Sequence, residues 1–316
     1  MKLTLSSDYH ITADKPRSRL DNTIQTQFDK LSEVLDNTDT FLLQAGDFTE
    51  KPRSWSLLSR IFELLNNHPK VTILTVFGQH DTYMHSEATR KKTNLGILTS
   101  TYAHVLSEMP FVIPKAGVKI YGTSYGGIVP EPEIDNLENI LVIHAPISDK
   151  GVWHGHEYMD AKWFLGVHTG YRLILCGDIH RHFLIQDGNR SILNTGPLLR
   201  YDASEYNITH EPCYYILDTE TWELTRNIVK HEPGEKVLNR EQIEITKEKQ
   251  DTIESAKKFA KMIIEDSSTE GISPMEKLRI AITTSIGLLE DQEVVEQLLL
   301  GVKMITGIDF KEVENE

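Results

Sequence analysis

Cysteine is nearly absent: Cys176 and Cys213 are the only two in 316 residues. They cannot supply a disulfide framework and form no Cys-x-x-Cys pair, so both are read as core residues. Long apolar runs are missing as well. Nothing approaches the roughly 18 uninterrupted residues of a membrane span, which excludes a transmembrane chain. The opening stretch, Met1 to Asp8, turns polar too soon for a signal peptide, and a cytoplasmic protein is the expectation. Positive charge is in deficit, with 33 Lys and Arg against 47 Asp and Glu and a net charge of −14. That global field opposes passive binding to nucleic acid or to an acidic membrane, so a nucleic-acid role needs local cations. Histidine is scarce at one end only: twelve of thirteen lie at or before His210, and His231 alone follows. Metal or acid–base chemistry is therefore expected in the first two thirds.

What is present is a series of short apolar runs ending in polar or glycine-containing turns, the pattern of buried strands feeding loops. Strands are predicted at Leu3 to Ser6, Thr40 to Gln44, Val71 to Phe77, Val118 to Gly122, Ile140 to Ile143, Arg172 to Cys176, Ser191 to Asn194 and Cys213 to Asp218. Helical spacing covers Asp21 to Leu35 and Ser54 to Asn66. Strands alternating with helices predict an α/β fold built as a sandwich of mixed sheets. After Thr221 a further strand near Leu224 to Val229 precedes a charged linker, Lys230 to Lys249. Three amphipathic patterns follow. In the first Ile253, Ala256, Ala260, Ile263 and Ile264 share a face, in the second Ser273-Pro-Met-Glu276 forms a capping box, and the third runs from about Asp291 to Thr306.

The chemistry-bearing residues sit where strands end. Asp8-Tyr-His10, Gly46-Asp47, Gly78-Gln-His80-Asp81, His144 and Gly177-Asp-Ile-His180 each follow or close one run. Open α/β sheets gather their sites beyond the carboxyl ends of strands, so these distant positions can converge. Carboxylate, imidazole and amide donors together suit two divalent ions, and a shared carboxylate can bridge them.

This series, in order and spacing over roughly residues 1 to 215, resembles the calcineurin-like metallophosphoesterase superfamily, with its Asp-x-His, Gly-Asp, Gly-Asn-His-Asp, lone His and Gly-His-x-His motifs. Ala13 to Asn22, with Pro16, Arg17, Arg19 and Asp21, and Gly196-Pro-Leu-Leu-Arg200 resemble the SbcD-type exonuclease branch, including its phage-encoded members. The resemblance implies a two-sheet β-sandwich flanked by helices over residues 1–220, a capping strand and linker over 221–249, and a partner-binding helical extension over 250–316. It implies that Asp8, His10 and His180 hold one metal, that Gln79, His144 and Asp178 hold the other, that Asp47 bridges them, and that His80 contacts phosphate and assists the leaving oxygen. Gln79 stands where the family has Asn, and Asp178 where it has His. The second change trades a nitrogen for a charged oxygen and points to manganese, with magnesium next, over zinc.

The implied activity is that of a DNA phosphodiesterase, the nuclease subunit of an SbcCD-like complex in a bacterial or phage-infected cell. Its partners would be DNA and a coiled-coil ATPase subunit held by the C-terminal helices, with room for a homodimer. Arg17, Arg19, Arg181 and Arg200 are the candidate contacts to the DNA backbone, since guanidinium forks suit phosphate. Trp153 and Tyr158 could stack on a base. A small-molecule phosphodiesterase or a non-catalytic scaffold on the same fold is the competing expectation.

Overall fold

The computed structural model describes residues 1–151, 157–239 and 241. Trp153, His154, His156 and the helical patterns of 251–306 lie outside them. Residues Met1–Asn239 make one compact unit. Among the described residues no helix is long and apolar enough to cross a membrane.

The chain begins with β1 (Lys2–Ser6), α1 (Thr23–Asp36), β2 (Phe41–Gln44), α2 (Trp55–Asn66), β3 (Thr72–Thr75), α3 (Asn94–Leu98) and β4 (Ala103–Val105). Its four strands lie parallel, side by side. There follow β5 (Phe111–Ile113), β6 (Val118–Thr123), β7 (Glu138–Ala145), the short pair β8 (Ile147–Ser148) and β9 (Met159–Asp160), α4 (Ala161–Val167), β10 (Leu173–Asp178), β11 (Phe183–Asp187) and β12 (Arg190–Asn194). Apart from the β8–β9 pair, these build a second sheet in the order β11-β12-β10-β7-β6-β5. After α5 (Glu205–Thr209) the chain returns to the first sheet, where β13 (Cys213–Asp218) runs antiparallel to β1 and β14 (Leu224–Ile228) closes the edge; α6 (Gly234–Val237) follows.

Side-chain alternation explains the four layers. Successive residues of a strand point to opposite faces, so Leu43 and Leu74 meet Val118, Ile120, Ile140, Val142, Leu173 and Leu175 between the sheets. Their neighbours Leu42 and Ile73 turn outward against Phe28, Leu31, Val34 and Leu35 of α1 and Leu57, Leu58 and Ile61 of α2. On the opposite outer face Leu141, Ile143 and Ile174 pack on Phe164 and Leu165 of α4. Each such aliphatic side chain contributes about 1.5–3 kcal/mol of burial. Both long helices start at side-chain caps, Asn22 accepting from the Gln25 amide and Ser54 from that of Leu57. The result is two parallel strand sets whose carboxyl ends open on the same side, and the loops there are laced together. Asp8 N donates to Gly46 O at 3.3 Å and His10 N to Asp47 O at 2.9 Å.

Candidate metal centre

Asp8 and His10 follow β1, Asp47 follows β2, Gln79 and His80 follow β3, His144 lies near the end of β7, and Asp178 closes β10 with His180 just beyond. All eight come together. Asp8, Asp47 and His144 are fully buried and His10 is 3% exposed, whereas Gln79, His80, Asp178 and His180 reach partial exposure. Among the described residues, three groups bring ligand atoms within 4.8 Å of one another: Asp8 with His10 and His180, His10 with Asp47 and His80, and Asp8 with Asp47 and His144.

The backbone is bent to make this possible. Asp8, His10, Asp47 and Asp178 all have left-handed φ values, of 50°, 45°, 50° and 97°, a conformation that non-glycine residues hold only where their surroundings enforce it. Gly78 permits the closest approach, because a Cβ there would stand 2.0 Å from Asp47 Oδ1.

Each imidazole is aimed by its second nitrogen. His10 Nδ1–H donates to Glu50 Oε2 at 2.8 Å, and His144 Nδ1–H donates to Ala45 O at 2.6 Å. Both Nε2 atoms are thereby directed inward, the usual means of fixing a metal-binding histidine. His10 Nε2 lies 2.8 Å from His180 Nε2 and 3.5 Å from Asp47 Oδ2, while His144 Nε2 lies 3.4 Å from the same carboxylate oxygen. Asp81, fully buried, ties the loops together by accepting from the amides of Phe48, Thr49 and Gly78. Burial and then the Asp47 charge push its carboxyl up to about 7.

Protonation follows from this crowding. Burial disfavours charge on His10, but the hydrogen bond to Glu50 and the Asp47 and Asp8 carboxylates outweigh it and raise its pKa to about 9. For His144 burial is likewise outweighed, chiefly by Asp47, and the value rises to about 10. Asp47, burial notwithstanding, is held well below the usual carboxylate range by His144 and His10. Burial and the neighbouring His10 drive His180 well below the ordinary histidine value. Burial raises Asp8 to about 6.

These groups fit a pair of divalent ions. Asp8 Oδ2 and Asp47 Oδ2 are buried without a hydrogen bond, and protons on His10 and His144 supply the positive charge that cations otherwise would. Loading with a divalent cation near pH 7.5 is therefore expected to release about two protons, one from each histidine, and to tighten as pH rises toward their pKa values. Calorimetry in two buffers of different ionisation enthalpy counts them. Release of no proton would show that both imidazoles are already neutral before the ion binds.

The expected DNA-contacting arginines separate. Arg19 and Arg200 are each 3% exposed and face inward. Arg19 binds Asp21 through Nε at 2.9 Å and Nη2 at 2.7 Å and donates from Nη1 to Arg200 O at 2.9 Å, while Arg200 binds the carbonyls of His210 and Glu232 at 2.8 and 2.5 Å. Arg19 thus ties the 16–20 loop to Arg200, Arg200 ties its own loop to the 210 and 232 segments, and neither guanidinium is presented to a DNA backbone. Arg17 is exposed and Arg181 half-buried, the latter 5.7 Å from the Tyr206 ring. Tyr158 is 39% exposed. Glu50 was not among the sequence candidates; its signal is a carboxylate three residues after Asp47, placed to receive His10. Asp81 belonged to a quoted motif but carried no role.

Donors converging on two adjoining positions at the strand ends of a double-sheet sandwich define a candidate two-metal centre. The chain belongs to the calcineurin-like phosphoesterase family, which it matches over residues 1–182, a family that uses pairs of divalent metals. No curated protein matches the sequence. Among solved structures, an archaeal phosphodiesterase is 18% identical, with 72% of this chain and all of that one covered at a TM-score of 0.41. A putative 5'-nucleotidase from Staphylococcus aureus is 14% identical over 73% of this chain and 54% of its own, at 0.43. Phosphopantetheinyl hydrolase from Mycobacterium tuberculosis is 12% identical over 61% and 88%, at 0.40.

Proposed function

We propose that the chain is a manganese-dependent DNA phosphodiesterase, the nuclease subunit of an SbcCD-like complex working in the cytoplasm of a bacterial or phage-infected cell. The observation that carries the two-ion hydrolase is the Asp47 carboxylate, whose buried Oδ2 stands 3.5 Å from His10 Nε2 and 3.4 Å from His144 Nε2 and so serves both halves of the site. Asp8, His10 and His180 would hold one ion and His144 and Gln79 the other. The ions, when bound, supply a nucleophilic water at neutral pH and stabilise charge on the phosphoryl oxygens.

His80 is the group left to act on substrate. Its side chain is 38% exposed, its Nδ1–H donates to Glu50 O at 3.1 Å, and its backbone N–H donates to Asp47 Oδ1 at 2.9 Å. The ring is thus held with Nε2 unengaged. That nitrogen is the one left to face the departing sugar oxygen.

The DNA assignment rests on the resemblance of 13–22 and 196–200 to the SbcD branch. Arg17 and Arg181 remain as candidate phosphate contacts, and a cavity of about 230 Å³ lined by Thr12, Asp14, Lys51 and Arg53 adjoins the residues that directly follow His10 and Glu50. A chain at −14 gains from a partner that supplies cationic surface, which the 250–316 extension would hold. The test pairs a chromogenic phosphodiester with single- and double-stranded DNA of defined ends in manganese. Diester hydrolysis without cleavage of any DNA would overturn the nuclease reading in favour of a small-molecule phosphodiesterase. A chain ending at Lys249 is expected to keep diester hydrolysis and lose ATP-stimulated duplex degradation with the partner. Normal duplex degradation by that shortened chain would place the partner contact elsewhere.

A further inference from the structure

Gln79 and Asp178, the two positions that depart from the family pattern, are joined to each other. Gln79 Nε2 donates to Asp178 Oδ1 at 2.6 Å, and Gln79 Oε1 accepts from His144 Nε2 at 2.7 Å. The orientation of this carboxamide is chemically determined. A carboxylate only accepts, so the group facing it must be the amide NH₂, and the carbonyl oxygen is thereby turned toward His144 Nε2. Asp178 is itself held in place: its backbone N–H donates to Asp8 Oδ1 at 3.0 Å, and its φ of 97° is maintained only by the structure around it.

Asp178 Oδ1 is 3.9 Å from His144 Nε2, and the Gln79 amide stands against it at 2.6 Å.

We propose that Asp178 is a positioning residue that turns the Gln79 carboxamide so that Oε1, and not Nε2, faces the second divalent cation. This rests on the two-ion reading above. An unrestrained carboxamide can rotate by half a turn and present N–H donors to a cation, which binds nothing, and glutamine has one more torsion to order than asparagine. The hydrogen bond to Asp178 removes that freedom.

The test measures stepwise manganese affinity by calorimetry, and by electron paramagnetic resonance the exchange-coupled signal of two neighbouring manganese ions, on the full chain. Asp178→Ala is expected to weaken the second ion about 10- to 100-fold, the range for loss of a partner that orients a ligand, and to spare the first. Asp178→Asn keeps a carbonyl acceptor for Gln79 and is expected to bind the second ion nearly as wild type. The decisive arm is Gln79→Glu, whose carboxylate presents oxygen in either orientation. In that background Asp178→Ala is expected to cost no affinity, or to improve it by removing a like charge. If Asp178→Asn loses the second ion as fully as Asp178→Ala, or if Asp178→Ala is as damaging beside Glu as beside Gln79, then Asp178 is a ligand and the proposal is overturned. A wild-type chain that takes up no manganese would instead overturn the two-ion reading, and this proposal with it.

Discussion

Asp47→Asn is expected to lower turnover of a chromogenic phosphodiester by about a thousandfold or more while the circular dichroism of the fold is retained. Asparagine can keep the oxygen that accepts from the His80 amide at 2.9 Å. Its nitrogen then replaces Oδ2, the buried oxygen that has no hydrogen bond and lies between His10 and His144. One change thus removes a negative charge from both halves of the site and puts N–H donors where cations would be. Steady-state rates with saturating manganese read the effect. Activity within tenfold of wild type would show that the two halves do not share this carboxylate.

His80→Ala separates chemistry from metal binding. Turnover is expected to fall by about 10² to 10⁴, the range for loss of an acid or of a donor to the transition state, with the affinity for both ions unchanged. The reason is positional. His80 Nδ1 is taken by the Glu50 carbonyl at 3.1 Å, so only Nε2 is free, on the partly exposed side of the site. Because His80 also stands in a possible ligand group with His10 and Asp47, calorimetry alongside the rate measurement is needed. An ion lost with the ring would make His80 a ligand rather than the acid.

The elements most legible in the sequence are those whose periodicity is set by two-sided burial. β1, β2, β6, β7, β10, β12 and β13 carry alternating inward and outward apolar residues, and each expected run overlaps the observed strand. The structure extends β7 to Glu138–Ala145 and trims β3 to Thr72–Thr75, since hydrogen-bonded pairing and not hydropathy sets an end. β4, β5, β8 and β9 have two or three residues each, too few to show a period. β11 lies at a sheet edge, where half its residues may be polar, and Gln186 and Asp187 hide it. The gathering of acids and histidines at five strand ends was legible because sheets of this kind collect polar side chains beyond the carboxyl ends of their strands. Glu50 was not, because its role depends on the left-handed turn that swings His10 onto it. The arginines mark the opposite failure. Arg19 and Arg200 have the composition of a phosphate-binding pair, and only the fold shows that loop carbonyls and Asp21 occupy them.

The most direct test of the two-ion centre is anomalous scattering at the manganese absorption edge from crystals of the wild-type chain soaked in manganese. The expected result is two peaks, one against Asp8, His10 and His180 and one against His144 and Gln79, with Asp47 Oδ2 touching both. A single peak, or peaks away from Asp47, would contradict the account.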